Sequence, residues 1–198
     1  MISVIDYGMG NLQSVSNSLN YLDIPFIITN NKEEIKKSKA ILIPGVGAFY
    51  DAMKNMKDMG LDKLIKEESR KKAILGICLG MQILFEKGQE VKETEGLGLL
   101  KGTIKKLEVD YKVPHIGWNN IKITNKNEIL KDIDNEYVYF VHSYYADTLD
   151  PVVDAYCDYG IKIPAIVSKG NIYGMQFHPE KSGAVGMRLL RNFWEGVK

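Results

Sequence analysis

The chain has 198 residues, 45% of them hydrophobic, and its 26 basic residues nearly balance its 25 acidic ones, giving a net charge of +1. This length and apolar fraction predict one globular domain over residues 1–198. The near-neutral charge provides no strong field for holding nucleic acid or an anionic membrane, so neither is expected as a partner. The longest apolar runs are far shorter than the roughly 20 residues that cross a bilayer.

The two cysteines, Cys78 and Cys157, lie in unlike contexts and do not suggest a disulfide framework. The sequence begins with a strand-like segment in place of a charged and apolar secretion leader. We therefore expect a cytoplasmic, reducing environment, in which a free thiol is more readily catalytic than cross-linked.

The first half of the chain alternates short β-branched runs with amphipathic stretches, which predicts a parallel sheet covered by helices on both faces. The expected strands are Ile2–Asp6, Pro25–Thr29, Ala40–Ile43 and Ala73–Cys78. Helices are expected after Asn11 as N-cap, briefly over residues 32–37, on both sides of Gly60, and from about Leu79 to Lys87.

The second half has shorter segments with polar alternation, which predicts a more antiparallel arrangement. The expected strands are Gly102–Glu108, His115–Thr124, Tyr137–Tyr145, Val152–Tyr159, Ile163–Val167 and Asn171–Phe177. A last helix carries Val185, Leu189, Phe193 and Trp194 on one face. The predicted fold class is therefore α/β, with a central, mostly parallel sheet, flanking helices and an additional antiparallel portion in the second half.

A nucleophile elbow is the first candidate for chemistry. In Gly76-Ile77-Cys78-Leu79-Gly80, small residues on both sides of Cys78 let a strand turn abruptly into a helix and hold one side chain exposed. A sulfur at a helix N-terminus lies near the positive end of the helix dipole, which favours the reactive thiolate. A lone cysteine is more often a small buried hydrophobe, but the two glycines and the strand-to-helix context favour a nucleophile.

The tripeptide His178-Pro179-Glu180 supplies a base and an orienting acid. Residues two apart in an extended segment project to the same side, so the carboxylate can reach the imidazole. A histidine near a thiol can take its proton and later protonate a leaving amine, while the carboxylate fixes the tautomer. Alone, the tripeptide is equally compatible with a solvated turn; combined with the elbow, it predicts a catalytic triad of Cys78, His178 and Glu180.

These motifs resemble the class I, triad-type glutamine amidotransferases over nearly the whole chain. The resemblance is carried in order by Pro44-Gly45-Val46-Gly47, the segment from Gly76 to Gln82, and His178-Pro179-Glu180. Within that family, further blocks resemble the glutaminase subunits of imidazole glycerol phosphate synthases: Tyr7-Gly8-Met9-Gly10-Asn11, the segment from Pro44 to Phe49, His115-Ile116-Gly117-Trp118-Asn119, and the segment from Tyr139 to Tyr144.

The resemblance implies that Cys78 attacks the side-chain amide of glutamine, giving a glutamyl thioester and ammonia, after which water releases glutamate. The tetrahedral intermediate needs donors for its oxyanion. One expected donor is the backbone N–H of Leu79, directly after the nucleophile. By family likeness the second donor comes from Val46 or Gly47. Glycine permits a peptide flip there, so the oxyanion hole could form only when a partner or ligand requires it.

The same resemblance implies that the glutamine pocket is lined by Gln82, Glu90, Ser143 and Tyr144. Gln82 lies one helical turn after Cys78, which brings it close to the thiol. His115 and His142 together with Cys78 could suggest a metal site, but no Cys-x-x-Cys or His-x-x-x-His spacing supports one. We expect neither a metal nor another cofactor.

The second half is rich in tyrosine around residues 137–145, and tyrosine and tryptophan are common interface anchors. Some of these side chains are expected to fill the core of the chain itself. By resemblance, the partner is a (β/α)8-barrel cyclase that receives ammonia through a tunnel and joins it to a phosphorylated precursor of histidine. The residues expected to face this partner are Asn11, Trp118, Tyr139 and Lys181.

Three alternatives stay open from the sequence. A paralogous glutaminase could supply ammonia to another synthase, for example one that amidates a sugar, because acceptor specificity lies mostly in the partner. A non-catalytic regulatory subunit could use the same fold, although all three triad residues are present. A cysteine hydrolase acting on other amides or esters is the third alternative.

Overall fold

The computed structural model describes residues 1–133 and 135–197. Its strands are β1 (Ile2–Ile5), β2 (Phe26–Thr29), β3 (Ala40–Ile43), β4 (Ala73–Ile77), β5 (Phe85–Gly88), β6 (Thr94–Glu95), β7 (Leu100–Lys106), β8 (His115–Asn120), β9 (Lys122–Ile123), β10 (Tyr137–His142), β11 (Tyr144–Asp147), β12 (Val153–Asp158), β13 (Lys162–Lys169) and β14 (Ile172–Met175). Its helices are α1 (Leu12–Tyr21), α2 (Lys32–Lys37), α3 (Phe49–Asp58), α4 (Leu61–Glu68), α5 (Leu79–Gln82) and α6 (Gly183–Gly196), with 3-10 turns at Glu128–Leu130 and Pro179–Lys181.

The largest sheet within these residues has eight strands in the order β2-β1-β3-β4-β14-β13-β12-β9. From β2 to β14 all neighbouring strands are parallel, whereas the pairings from β14 to β9 are antiparallel. The predicted α/β fold, a mostly parallel central sheet with an antiparallel portion in the second half, is thereby confirmed. In the described part of the chain, no helix is long and apolar enough to span a membrane.

The central sheet is buried on both faces because alternate residues of its strands enter two different cores. Along β3, Ala40 and Leu42 pack on the side of α1 and α6, whereas Ile41 and Ile43 pack on the side of α2, α3 and α4. This alternation is the period of two that a strand imposes on its side chains. A strand with apolar residues at every position is therefore what a sheet covered on both faces requires.

Two smaller sheets lie beside the central one. Strands β10 and β8 form an antiparallel ribbon, and β11-β7-β5-β6 form a four-stranded sheet among the described residues. Two predicted strands are consequently divided: His115–Thr124 becomes β8 and β9, and Tyr137–Tyr145 becomes β10 and β11, with Ser143 between them. In each case the two halves pair with different sheets, which a local pattern of alternation does not reveal.

The helix expected from about Leu79 to Lys87 is wrong beyond its first turn. Helix α5 ends at Gln82, and β5 begins at Phe85, where it pairs with Leu100 of β7. The intervening Ile83 and Leu84 are fully buried. A continuous buried apolar run fits a helix or a strand equally well, and here pairing with a distant segment decides for the strand.

Candidate active site

Cys78 lies at the carboxyl end of β4, where the chain turns into α5. Its backbone adopts φ 53° and ψ −111°, a left-handed conformation that non-glycine residues rarely occupy. The turn is anchored on the neighbouring strand, because the Cys78 N–H donates a 2.7 Å hydrogen bond to the Met175 carbonyl. The elbow expected from the sequence is therefore present, but its Cys78 side chain is buried, at 7% exposed, and not exposed as expected. The four-residue α5 also provides only a small helix dipole at the sulfur.

The two glycines of the elbow are required by close backbone contacts. A Cβ atom at Gly80 would lie 1.8 Å from the carbonyl oxygen of Ile43, and one at Gly76 would lie 2.4 Å from the Gly80 carbonyl oxygen. Neither position can hold a larger residue unless the backbone moves. These glycines let β4 and α5 pack directly against β3, which fixes the position of Cys78.

His178 and Glu180 follow β14, the parallel neighbour of β4. His178 Nδ1 lies 2.8 Å from Glu180 Oε1, and both side chains are almost fully buried. Because a carboxylate can only accept, Nδ1 carries the proton that is donated. The other ring nitrogen, Nε2, is buried and has no hydrogen-bond partner among the described residues, which leaves it available to exchange a proton with a reacting group.

The electrostatic surroundings of His178 favour its protonated form. Burial by itself lowers the pKa of this imidazole, but interactions with the Cys78 sulfur and the Glu180 carboxylate outweigh burial and raise the pKa to about 9. A raised pKa is expected for a histidine that stabilises a thiolate as an imidazolium. These surroundings therefore favour an imidazolium at His178, in the same cavity as the Cys78 sulfur.

A cavity of about 290 Å³ opens beside the sulfur and contains most of the residues predicted for the site. Cys78 and His178 line it, while Glu180 lies behind the imidazole. Its other predicted lining residues are Val46, Gly47, Leu79, Gln82, Glu90, Ser143 and Tyr144. The structure thus brings together residues from five separate segments of the chain at the carboxyl edge of the parallel strands, where α/β folds usually bind ligands.

Two polar residues of the cavity are held by specific contacts. Glu90 Oε2 accepts a 2.7 Å hydrogen bond from the Phe49 backbone N–H, at the start of α3. Gln82 Nε2 donates to the Tyr144 carbonyl at 3.0 Å. Glu90 offers an anionic group and Gln82 a fixed amide, which suits a ligand that carries an ammonium and an amide.

A pair of buried histidines lies next to the cavity. His142 Nδ1 lies 2.9 Å from the Tyr144 carbonyl, to which it donates, and His115 Nδ1 lies 3.0 Å from His142 Nε2. Burial lowers the pKa of His142 to about 3 and that of His115 to about 4. Both rings are therefore neutral near pH 7, and His115 donates to His142.

No cluster of three or more His, Cys, Asp or Glu side chains able to hold a metal occurs in the described ranges. Sequence reasoning missed Gln176 as a member of the site. Gln176 is fully buried and its amide lies 3.8 Å from the Cys78 sulfur. The available signal was a polar residue directly after β14, between the apolar Met175 and Phe177.

The residues predicted to face a partner lie on or near one side of the chain. Trp118 on β8 is 56% exposed, and its ring lies 6.0 Å from that of Tyr139 on β10. Lys181 is exposed in the 3-10 turn that packs against both α1 and β10. Asn11 is the N-cap of α1, as expected, and accepts a hydrogen bond from the Ser14 N–H.

An α/β sheet with a cysteine elbow beside a histidine–glutamate pair is the arrangement of an enzyme that transfers acyl groups through a thiol. Residues 3–196 match the family model described as glutamine amidotransferase class-I. The chain belongs to the class I glutamine amidotransferase family.

Curated relatives with the name imidazole glycerol phosphate synthase subunit HisH are similar along nearly their whole length. Proteins of that name from Bacillus anthracis, Bacillus thuringiensis and Bacillus cereus are each 50% identical over 195 residues, covering 98% of this chain and 93% of the relative.

Solved structures support the same fold. A crystal structure of a glutamine amidotransferase superposes with a TM-score of 0.80 at 20% identity, covering 99% of this chain and 98% of the other. The structure of PurLQS from Thermotoga maritima gives a TM-score of 0.76 at 18% identity, with coverage of 100% and 98%. At these identities the likeness concerns the fold alone.

Proposed function

We propose that the chain is the glutaminase subunit of an imidazole glycerol phosphate synthase. It hydrolyses glutamine to glutamate and ammonia and passes the ammonia to a (β/α)8-barrel cyclase with which it forms a heterodimer. The observation that carries the chemistry is the common cavity in which Cys78 and the Glu180-paired His178 meet. The acceptor reaction is assigned from the 50% identity to synthase subunits of that name.

The first half of the reaction is transfer of the glutamine acyl group to sulfur. The Cys78 thiolate attacks the side-chain carbonyl carbon of glutamine, and the carbonyl π electrons move onto oxygen. The His178 imidazolium then donates its Nε2 proton to the amide nitrogen, and the C–N bond breaks. Ammonia departs, and the acyl group remains on the sulfur as a thioester. Throughout the reaction, Glu180 accepts a hydrogen bond from Nδ1–H of His178 and so keeps that proton on Nδ1.

The second half is hydrolysis of the thioester. His178, now neutral, takes a proton from water through Nε2, and the resulting hydroxide attacks the acyl carbon. Collapse of this second intermediate expels the Cys78 thiolate and releases glutamate. Both intermediates carry an oxyanion, for which we propose the backbone N–H groups of Leu79 and of Val46 or Gly47 as donors. These three residues line the cavity that contains the sulfur.

The glutamine substrate fits the polar groups of the cavity. We propose that Glu90 binds the α-ammonium, and that Gln82, Ser143 and Tyr144 contact the remaining polar groups. The residues 1–198 are proposed to act as one domain, because β14 from the far end of the chain pairs with β4 from its middle. We propose a cytoplasmic location, which suits the free thiols of Cys78 and Cys157.

The decisive experiment measures glutamate release in the complex with the cyclase, with its nucleotide substrate present. Cys78→Ala should abolish glutamate release while leaving binding of the cyclase intact. The matched control is Cys157→Ala, since Cys157 is buried in the core and does not line the cavity.

Synthesis of imidazole glycerol phosphate from externally added ammonium salt should persist with the Cys78→Ala variant, because the cyclase site is untouched. Glutamate release by Cys78→Ala near the parental rate would overturn the assigned nucleophile. Parental glutaminase activity without any association with the barrel cyclase would instead leave the chemistry in place and overturn the acceptor.

A further inference from the structure

Two buried glutamines form a short chain that ends at the reactive sulfur. Gln82 Nε2 donates both to the Tyr144 carbonyl at 3.0 Å and to Gln176 Oε1 at 3.1 Å. Gln176 Nε2 in turn lies 3.8 Å from Cys78 Sγ. Gln176 is fully buried and Gln82 is 5% exposed, so bulk water does not compete for these groups.

The orientation of both amides is set by a backbone carbonyl. The Tyr144 oxygen can only accept, so the Gln82 group facing it must be the amide nitrogen. The second hydrogen of that nitrogen then requires an acceptor, which is Gln176 Oε1. With its oxygen engaged, Gln176 can present only its N–H group to Cys78. Turning Gln82 over would set two acceptors against each other, and turning Gln176 over would set its N–H donors against those of Gln82. Either mismatch is costly in a buried place.

We propose that Gln176 is a further catalytic residue, whose side-chain N–H stabilises the Cys78 thiolate, and that Gln82 is a positioning residue that acts through it. The inference rests on the proposed cysteine chemistry and adds to it a contact to the sulfur besides that of His178. A hydrogen bond to an ionised acceptor is stronger than one to its neutral form. The contact therefore strengthens when the thiol loses its proton, as catalysis requires.

A competing contact explains why such a donor is useful. The Cys78 thiol can donate to the Val141 carbonyl, which lies 3.9 Å away and favours the protonated sulfur. Gln176 opposes this by favouring the anion. The titratable groups around the sulfur are His178 with Glu180 behind it, Tyr7 on the side of β1, and Glu90, His142 and Tyr144 across the cavity. Among these, His178 is the cation that pairs with the thiolate.

The test measures the rate at which iodoacetamide alkylates Cys78 as a function of pH, using the chain without cyclase. Mass spectrometry of the Cys78 peptide follows the reaction. In Gln176→Leu the midpoint of the pH profile should move up by about one pH unit, as expected when a charged acceptor loses a hydrogen bond. At pH values well below the parental midpoint, alkylation should therefore slow about tenfold. The matched control is Gln13→Leu on the exposed face of α1, which should behave as the parent.

Gln82→Met should move the midpoint in the same direction by a smaller amount, because it removes only the group that orients Gln176. The double variant should shift no further than Gln176→Leu alone, since Gln82 acts through Gln176. An unchanged midpoint in Gln176→Leu, or additive shifts in the double variant, would overturn the proposal.

The buried Cys157 peptide provides a folding control in the same samples, because its thiol is protected only in the folded chain. If Gln176→Leu exposes Cys157, the same-length variant Gln176→Met decides the question by the same criterion. Alkylation of Cys78 does not require glutamine, so a failure here is distinct from a failure of the proposed glutaminase function, which is read from glutamate release in the complex.

Discussion

The backbone N–H of Cys78 donates to the Met175 carbonyl across 2.7 Å, joining the end of β4 to the end of β14. These strands are parallel and in register, with Ile77 opposite Met175. Because the carboxyl ends of parallel neighbours meet at one edge of a sheet, the elbow and the segment that begins at His178 emerge side by side. The thiol and the imidazole meet through this single pairing, although they come from the middle and the far end of the sequence.

The histidines are expected to titrate in widely separated pH ranges. His178 should titrate with a pKa of about 9, whereas His115 and His142, whose charged forms are disfavoured by burial, should have pKa values of about 4 and about 3. Nitrogen-15 NMR of the imidazoles can follow each one, because the chain contains three histidines. In Cys78→Ala the pKa of His178 should fall, and an unchanged value would contradict the coupling to the sulfur.

The free energy of unfolding should decrease on both sides of a maximum near pH 6.5. The pKa of His178 is raised in the folded chain, so its stabilisation is complete below about pH 6.5 and is lost as the pH rises through about 9. The pKa values of His115 and His142 are lowered, so their contribution is present above about pH 6.5 and is lost as the pH falls towards 4. Urea denaturation at a series of pH values measures the free energy of unfolding on the acid side and the alkaline side of this maximum, the acid and alkaline limbs of the curve.

Variants assign the two limbs to particular side chains. His178→Gln should flatten the alkaline limb and leave the acid limb unchanged. His142→Gln should reduce the slope of the acid limb alone. An alkaline limb that persists in His178→Gln would show that another group causes it.

Gly80→Ala should destabilise the chain severely, by about 3 kcal/mol or more, because the new Cβ would overlap the Ile43 carbonyl and force the backbone apart. Gly196→Ala is the matched control, since a Cβ there has no neighbour within 4 Å and alanine favours the helix. Thermal and urea unfolding measure both. A Gly80→Ala variant as stable as the parent would mean that the elbow can relax without cost.

Glu180→Gln should leave the fold intact and lower the glutaminase kcat by about 100-fold or more, since general acid–base catalysis contributes on that scale. Without the carboxylate, the pKa of His178 should fall, because the Glu180 contact is one of the interactions that raise it. Glutamate release in the cyclase complex and the imidazole NMR titration measure the two effects. The control is Glu67→Gln on the exposed surface, and near-parental kcat in Glu180→Gln would remove the carboxylate from the proposed triad.

Trp118→Ala should weaken binding of the barrel cyclase about tenfold or more, because a half-exposed tryptophan beside Tyr139 is a typical interface anchor. Titration calorimetry with the purified cyclase measures the affinity. Tyr21→Ala, at the exposed end of α1, is the control and should bind as the parent does. If Trp118→Ala bound the cyclase as tightly as the Tyr21→Ala control, the face that contains Trp118 would be excluded as the docking surface.

Local signals in the sequence were sufficient for the fold as far as the elbow at Cys78. Asn11 caps α1, Gly60 separates α3 from α4, and the buried apolar run Ala40–Ile43 forms β3 with the predicted bounds. These features depend on residues within a few positions of each other. The elbow belongs with them, since Gly76 and Gly80 flank the cysteine in the sequence itself.

Contacts between distant segments decided the rest. The end of α5 at Gln82 depends on the pairing of Phe85 with Leu100, and the division of residues 137–145 depends on which sheet each part joins. The contact of Gln176 with the Cys78 sulfur likewise follows from the register between β14 and β4. The sequence determined which chemical groups were available and where the chain turns; the packing of the sheet determined which of those groups meet, because proximity across a sheet depends on register and not on separation along the chain.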